Sequence, residues 1–142
     1  MNQEQFSRTT FAVLDREKGV EELPAVAGDE YPLPAWYRSV REVPIDKLSI
    51  EDIAKALRQQ IHPEHVVPRA LQILQTDPLA GEMYDGELFA SLNGVTPDHW
   101  VNHSDDTALL RLVIERLLPD PTIADDIRRD AEELGKRAGI SR

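Results

Sequence analysis

The residues best placed to do chemistry lie between positions 77 and 92, DPLAGEMYDGELFASL, where Asp77, Glu82, Asp85 and Glu87 crowd together without a basic neighbour. Carboxylates at this density can work as an acid–base pair, ligate a hard metal, or attract a cation. Acid–base work needs two pKa values driven apart by burial or neighbours. A Gly-rich acidic segment offers little burial, and it has no Lys or Arg to hold an anionic transition state. Histidines are the other candidates: His62 and His65 stand three apart, His99 and His103 four apart. Neither pair belongs to an HExxH motif, and the chain has no cysteine with which to complete a structural zinc site. Turn position and exposure account for both pairs. The GxSxG, GxGxxG and GxxxxGK motifs are also absent. No nucleophile, base and oxyanion donor form a set, so the expectation is a protein that is not an enzyme and uses no metal or cofactor.

Charge points elsewhere. The net charge is −10, which disfavours direct binding to nucleic acid or to an anionic membrane. Between Arg69 and Arg111 lie 41 residues with no Lys or Arg and seven acids: Asp77, Glu82, Asp85, Glu87, Asp98, Asp105 and Asp106. Asp85, Asp105 and Asp106 stand at expected helix starts, where negative charge is favourable, and Asp77 precedes a proline in a turn. These local duties explain position but not the missing bases, since a merely solvated face mixes both signs. One face should therefore be persistently negative and favour a cationic protein. Met83, Tyr84, Phe89 and Trp100 are interleaved as possible apolar anchors. The expected partner-binding set is Glu82, Tyr84, Asp85, Glu87, Asp98, Trp100, Asp105 and Asp106. An acidic helical adaptor for some other basic protein is the alternative.

The elements that must position these residues are helical. Residues 1–46, punctuated by Pro24, Pro32, Pro34 and Pro44, read as an irregular arm packed on the core. Short helices over 11–17 and 35–41 fit within it, with Tyr31, Trp36 and Tyr37 as anchors. Residues 47–142 read as the helical domain. Ser49 caps a helix carrying Ile50, Ile53, Ala54, Leu57 and Ile61 on one face. A second begins near Val66 with Pro68 in its first turn and ends at Asp77-Pro78. Asp85 caps a short helix through Leu92, and Thr96-Pro97 starts another. Ser104 caps the most apolar helix, expected at the centre of the core. Asp120-Pro121 starts the last, which Gly139 closes. The spacing shows no strand alternation, so the fold class is all-α, a single-domain bundle of about five to seven helices. No run of eighteen apolar residues and no secretory leader is present, which predicts a cytoplasmic protein.

The run IEDIAKALRQQIHPEHVVPRALQILQTDPLAGEMYDGELFASL (50–92) resembles the immunity proteins of bacterial contact-dependent growth inhibition systems. The matching pieces are Leu57-Arg58-Gln59, VVPRAL (66–71) and DPLAGEMYDGEL (77–88). The resemblance implies a cytoplasmic protein that binds the C-terminal toxin domain delivered by a neighbouring cell. Such a toxin is most often a nuclease, and the immunity protein blocks its active site. A nuclease cleft is basic because its substrate is polyanionic, so an acidic protein can offer carboxylates where phosphates would lie. The resemblance does not say which residues touch the toxin. DPLAGEMYDGEL can equally be scaffold, with Gly81 and Gly86 allowing special backbone geometry, Tyr84 packed inward, and Arg58 paired to Glu82 or Asp85.

Overall fold

The computed structural model describes residues 9–19 and 32–140, with side chains described from residue 35 in the second stretch. It divides into two compact units, Met1–Leu48 and Ser49–Arg142. Among the described residues there are eight α-helices and two short 3-10 turns, and no strand. The class is all-α as expected. The helix count is slightly above the expected range because short proline-bounded segments also close into helices. No helix among the described residues is long and apolar enough to cross a membrane.

In the first unit, α1 (Phe11–Glu17) is capped by Thr10, whose Oγ1 accepts from the Val13 N–H at 3.1 Å. The second helix, α2 (Pro32–Val40), starts two residues before the expected Pro34. The pair is clamped by Asp15. The Tyr37 hydroxyl donates to Asp15 Oδ2 at 2.8 Å, and Arg41 Nη2 lies 3.6 Å from the same oxygen. Phe11 stacks on Tyr37 with ring centroids 5.6 Å apart. Burial and the neighbouring carboxylate push the Tyr37 phenol well above its ordinary range. Expected features at Pro24 and Tyr31 lie outside the described residues.

The second unit begins with α3 (Ile50–Arg58), capped as expected by Ser49 Oγ, which accepts the Asp52 N–H at 3.0 Å. Its C-terminus is a Schellman turn: Ile61 N–H reaches the Ala56 carbonyl at 2.9 Å, and Gln60 takes a positive φ of 58°. Next, α4 (Pro63–Thr76) starts three residues earlier than expected, because His62 takes a left-handed φ of 42° and Pro63, not Pro68, fills the first helical position. Pro68 falls inside the helix, where one ladder hydrogen bond is forgone.

After α4 come α5 (Glu87–Ser91), a 3-10 turn (Leu92–Gly94), α6 (Pro97–Asn102), α7 (Ser104–Leu117) and α8 (Asp125–Arg137). The middle of this unit is α4, packed on α3, α5 and α7, with Val66, Val67, Ala70, Leu71 and Leu74 fully buried. Expectation had placed α7 there. Instead α7 is one-sided: Leu110, Val113, Ile114 and Leu117 face in, while Arg111, Leu112, Glu115 and Arg116 face out. Ser104 is its first residue and makes no cap; Thr107 Oγ1 donates to the Trp100 carbonyl at 2.7 Å across the bend. Asp120 does not start α8 either. Its Oδ1 accepts from the Thr122 N–H and hydroxyl, which folds a turn ahead of the helix.

Candidate partner-binding surface

The opening acidic stretch is a loop between α4 and α5, and its construction is local. Asp77 Oδ1 accepts the Leu79 N–H at 3.1 Å and turns the chain out of α4. The neck closes where Gly86 N–H donates to the Leu79 carbonyl at 2.9 Å and Leu88 N–H to the Ala80 carbonyl at 3.1 Å. Gly86 stands at φ +86° as the residue before α5, a conformation costly for any residue with a Cβ. The expected Asp85 cap is therefore displaced by one residue. Gly81 is required by space: a Cβ there would lie 2.0 Å from the Tyr84 carbonyl oxygen and 2.8 Å from Glu87 Cβ.

Between these glycines each residue of the tip, Glu82-Met83-Tyr84-Asp85, is exposed. Met83 and Tyr84 leave 71% and 56% of their surface to water, so Tyr84 does not pack inward. Glu82 Oε2 accepts the Glu51 N–H at 3.3 Å, which places its charge against the N-terminus of α3. Beneath the tip lies Glu87, only 3% exposed. Its Oε1 accepts two consecutive amides, Glu82 N–H at 2.9 Å and Met83 N–H at 3.1 Å. Arg58 does not pair with Glu82 or Asp85. Its Nη1 donates to Ser91 Oγ at 3.1 Å, and that hydroxyl donates in turn to the Glu87 carbonyl at 2.9 Å.

The remaining expected residues lie around the α6–α7 bend and divide between surface and interior. Asp98 and Asp105 are exposed in the first turns of their helices. Trp100 and Asp106 are buried. The Trp100 ring lies edge-on to His99 at 5.3 Å. Phe89, weighed as an apolar anchor, is also fully buried. The eight expected partner-binding residues thus separate into five at the surface (Glu82, Tyr84, Asp85, Asp98, Asp105) and three inside (Glu87, Trp100, Asp106).

Two exposed apolar residues were not anticipated, Val101 and Leu112. Leu112 borders a shallow groove of about 420 Å³ lined also by Trp100, Ser104, Thr107, Ala108 and Arg111. The available signal was in LLRLVIERLL: its apolar residues outnumber what one inward stripe can hold, so one had to face water. The histidines also differ from expectation, because His62 and His99 are buried rather than exposed. Among the described residues, no group of three or more His, Asp or Glu side chains is arranged to hold a metal ion.

At the tip the exposed carboxylates of Glu82 and Asp85 flank Met83 and Tyr84 along the chain, and the segment that carries them contains no base. Comparison with known proteins adds an independent finding. The family model described as CDI immunity proteins matches residues 19–110. A search of curated proteins finds no match.

Proposed function

The chain belongs to the CDI immunity proteins, whose part is to neutralise a cognate CDI toxin, and we propose that it does so by occluding the basic active site of a nuclease toxin domain in the cytoplasm. The observation that carries this reading is the surface of residues 77–110. Glu82, Asp85, Asp98 and Asp105 are turned to solvent there, and the whole segment lacks Lys and Arg. A nuclease concentrates positive charge where it grips phosphate, and that charge is left unsatisfied until substrate or a mimic arrives. Carboxylates presented on a folded loop meet this need, and the field they create speeds encounter before any contact is made. Met83 and Tyr84 supply apolar area that charge alone lacks, the combination found at interface hot spots.

The test is direct. The toxin domain encoded beside this gene should co-purify with the chain, lose nuclease activity in its presence, and cease to kill cells that express it. Absence of binding at low salt overturns the proposal. Binding with protection, but with no nuclease activity in the toxin, keeps the immunity role and removes the nuclease. Retention of some other basic protein, without protection, favours the adaptor role.

A further inference from the structure

We infer that Glu87 is a positioning residue, whose uncharged work as a hydrogen-bond acceptor shapes the docking loop, and not a carboxylate offered to the partner. This rests on the reading that the 82–85 tip docks against the toxin. Three observations support it. Glu87 is buried beneath the tip, so a toxin side chain meeting the loop encounters Met83 and Tyr84 first. A single oxygen, Oε1, takes both the Glu82 and the Met83 amide hydrogens. Two successive amides turned onto one acceptor fix the chain direction at the point where Met83 and Tyr84 leave the surface. Finally, the backbone that carries Glu87 is held from below through Ser91 and Arg58, which ties α5 to α3.

The physical consequence is preorganisation. Seven residues from Ala80 to Gly86 would otherwise sample many conformations, and a partner would have to order them on binding. With the amides tied down and Gly81 packed against the Tyr84 carbonyl, that ordering is complete in the free protein. The acidic tip then meets its partner with Tyr84 already presented.

Because one oxygen does the work, two conservative substitutions separate positioning from charge. Glu87→Gln keeps an oxygen at the same reach and removes the charge. Glu87→Asp keeps the charge and draws the oxygen back by one methylene. Two readouts are needed: hydrogen exchange at the Glu82 and Met83 amides in the free full-length protein, and dissociation of the toxin domain. Positioning predicts that Glu87→Gln leaves both within about twofold of the parent, while Glu87→Asp speeds amide exchange and dissociation on the order of tenfold. The opposite order, with Glu87→Gln the weaker binder and its amides still protected, would make Glu87 a charged contact and overturn the inference. So would unaltered amide exchange in Glu87→Asp. If the parent protein fails to bind the toxin domain, the proposed function fails; the exchange measurement on the free protein still decides what Glu87 does.

Discussion

His99 and Asp106 meet inside the bend between α6 and α7, where the imidazole Nε2–H donates to the carboxylate Oδ2 at 2.9 Å. Both side chains are largely withdrawn from water, at 4% and 10% exposure. His103 stacks on the His99 ring at 4.1 Å and donates from Nδ1 to the His99 carbonyl at 2.8 Å. The bend thus contains its own polar network, and Asp106 belongs to that network.

Removing the carboxylate should therefore cost folding, not binding. Asp106→Ala is expected to lower stability by about 2–4 kcal/mol, because a buried imidazole is left without its acceptor. Asp106→Asn keeps an oxygen and should lose less. Urea denaturation measures the cost, and toxin association of the folded Asp106→Asn protein should match the parent. Slower association with unchanged stability would return Asp106 to the interface.

The exposed acids should behave in the opposite way. Replacing Asp85, Asp98 and Asp105 together by lysine should leave the fold intact, since all three side chains face water. Association with the toxin domain should slow by roughly one to two orders of magnitude at low salt, with a flatter dependence on ionic strength. Stopped-flow association across a salt series is the measurement. Rates that match the parent at every salt concentration would remove this surface from the docking path.

Gly81→Ala tests the loop by space. The new Cβ would meet the Tyr84 carbonyl, a backbone atom that cannot move aside alone, so the 81–86 turn must reopen. The expected loss is about 1–3 kcal/mol of stability, with faster toxin dissociation. Tolerance of alanine in both measurements would mean that the turn is not rigid.

Tyr37 provides the pH prediction. Its phenol is raised above its unfolded value by burial first and then by the Asp15 hydrogen bond and charge. A raised folded pKa means that the stabilisation is fully present below the unfolded value, about 10, and is lost as pH climbs towards the folded one. The stability advantage of the parent over Tyr37→Phe should therefore hold steady from pH 7 to about 10 and shrink above it. Denaturation of both proteins from pH 7 to well above about 10 measures the difference. An advantage that grows with alkali would contradict the Tyr37–Asp15 contact.

Much of the helical layout was legible because its causes are local. Ser49 and Thr96-Pro97 mark their helix starts within a few residues, and the stripes of α3 and α4 repeat at helical spacing whatever else surrounds them. Two of the starts that misled, those of α4 and α5, had two qualified residues close together. Pro63 took the role expected of Pro68, and Gly86 the role expected of Asp85, because His62 and Gly86 adopt left-handed backbone that residue type alone does not announce.

The amino-acid sequence by itself determined that the chain is helical, strongly acidic over one base-free segment, and marked by DPLAGEMYDGEL. Periodicity, charge and motif are properties of order along the chain, so they survive without coordinates. Which acids face water was decided only by tertiary structure. Glu87 and Glu82 are five residues apart and chemically alike, yet one is sealed under the loop and the other exposed on it. Asp105 and Asp106 are adjacent, and only the second turns in to meet His99. A carboxylate is buried where a donor waits to offset its lost hydration, and donors are brought there by the fold of distant backbone.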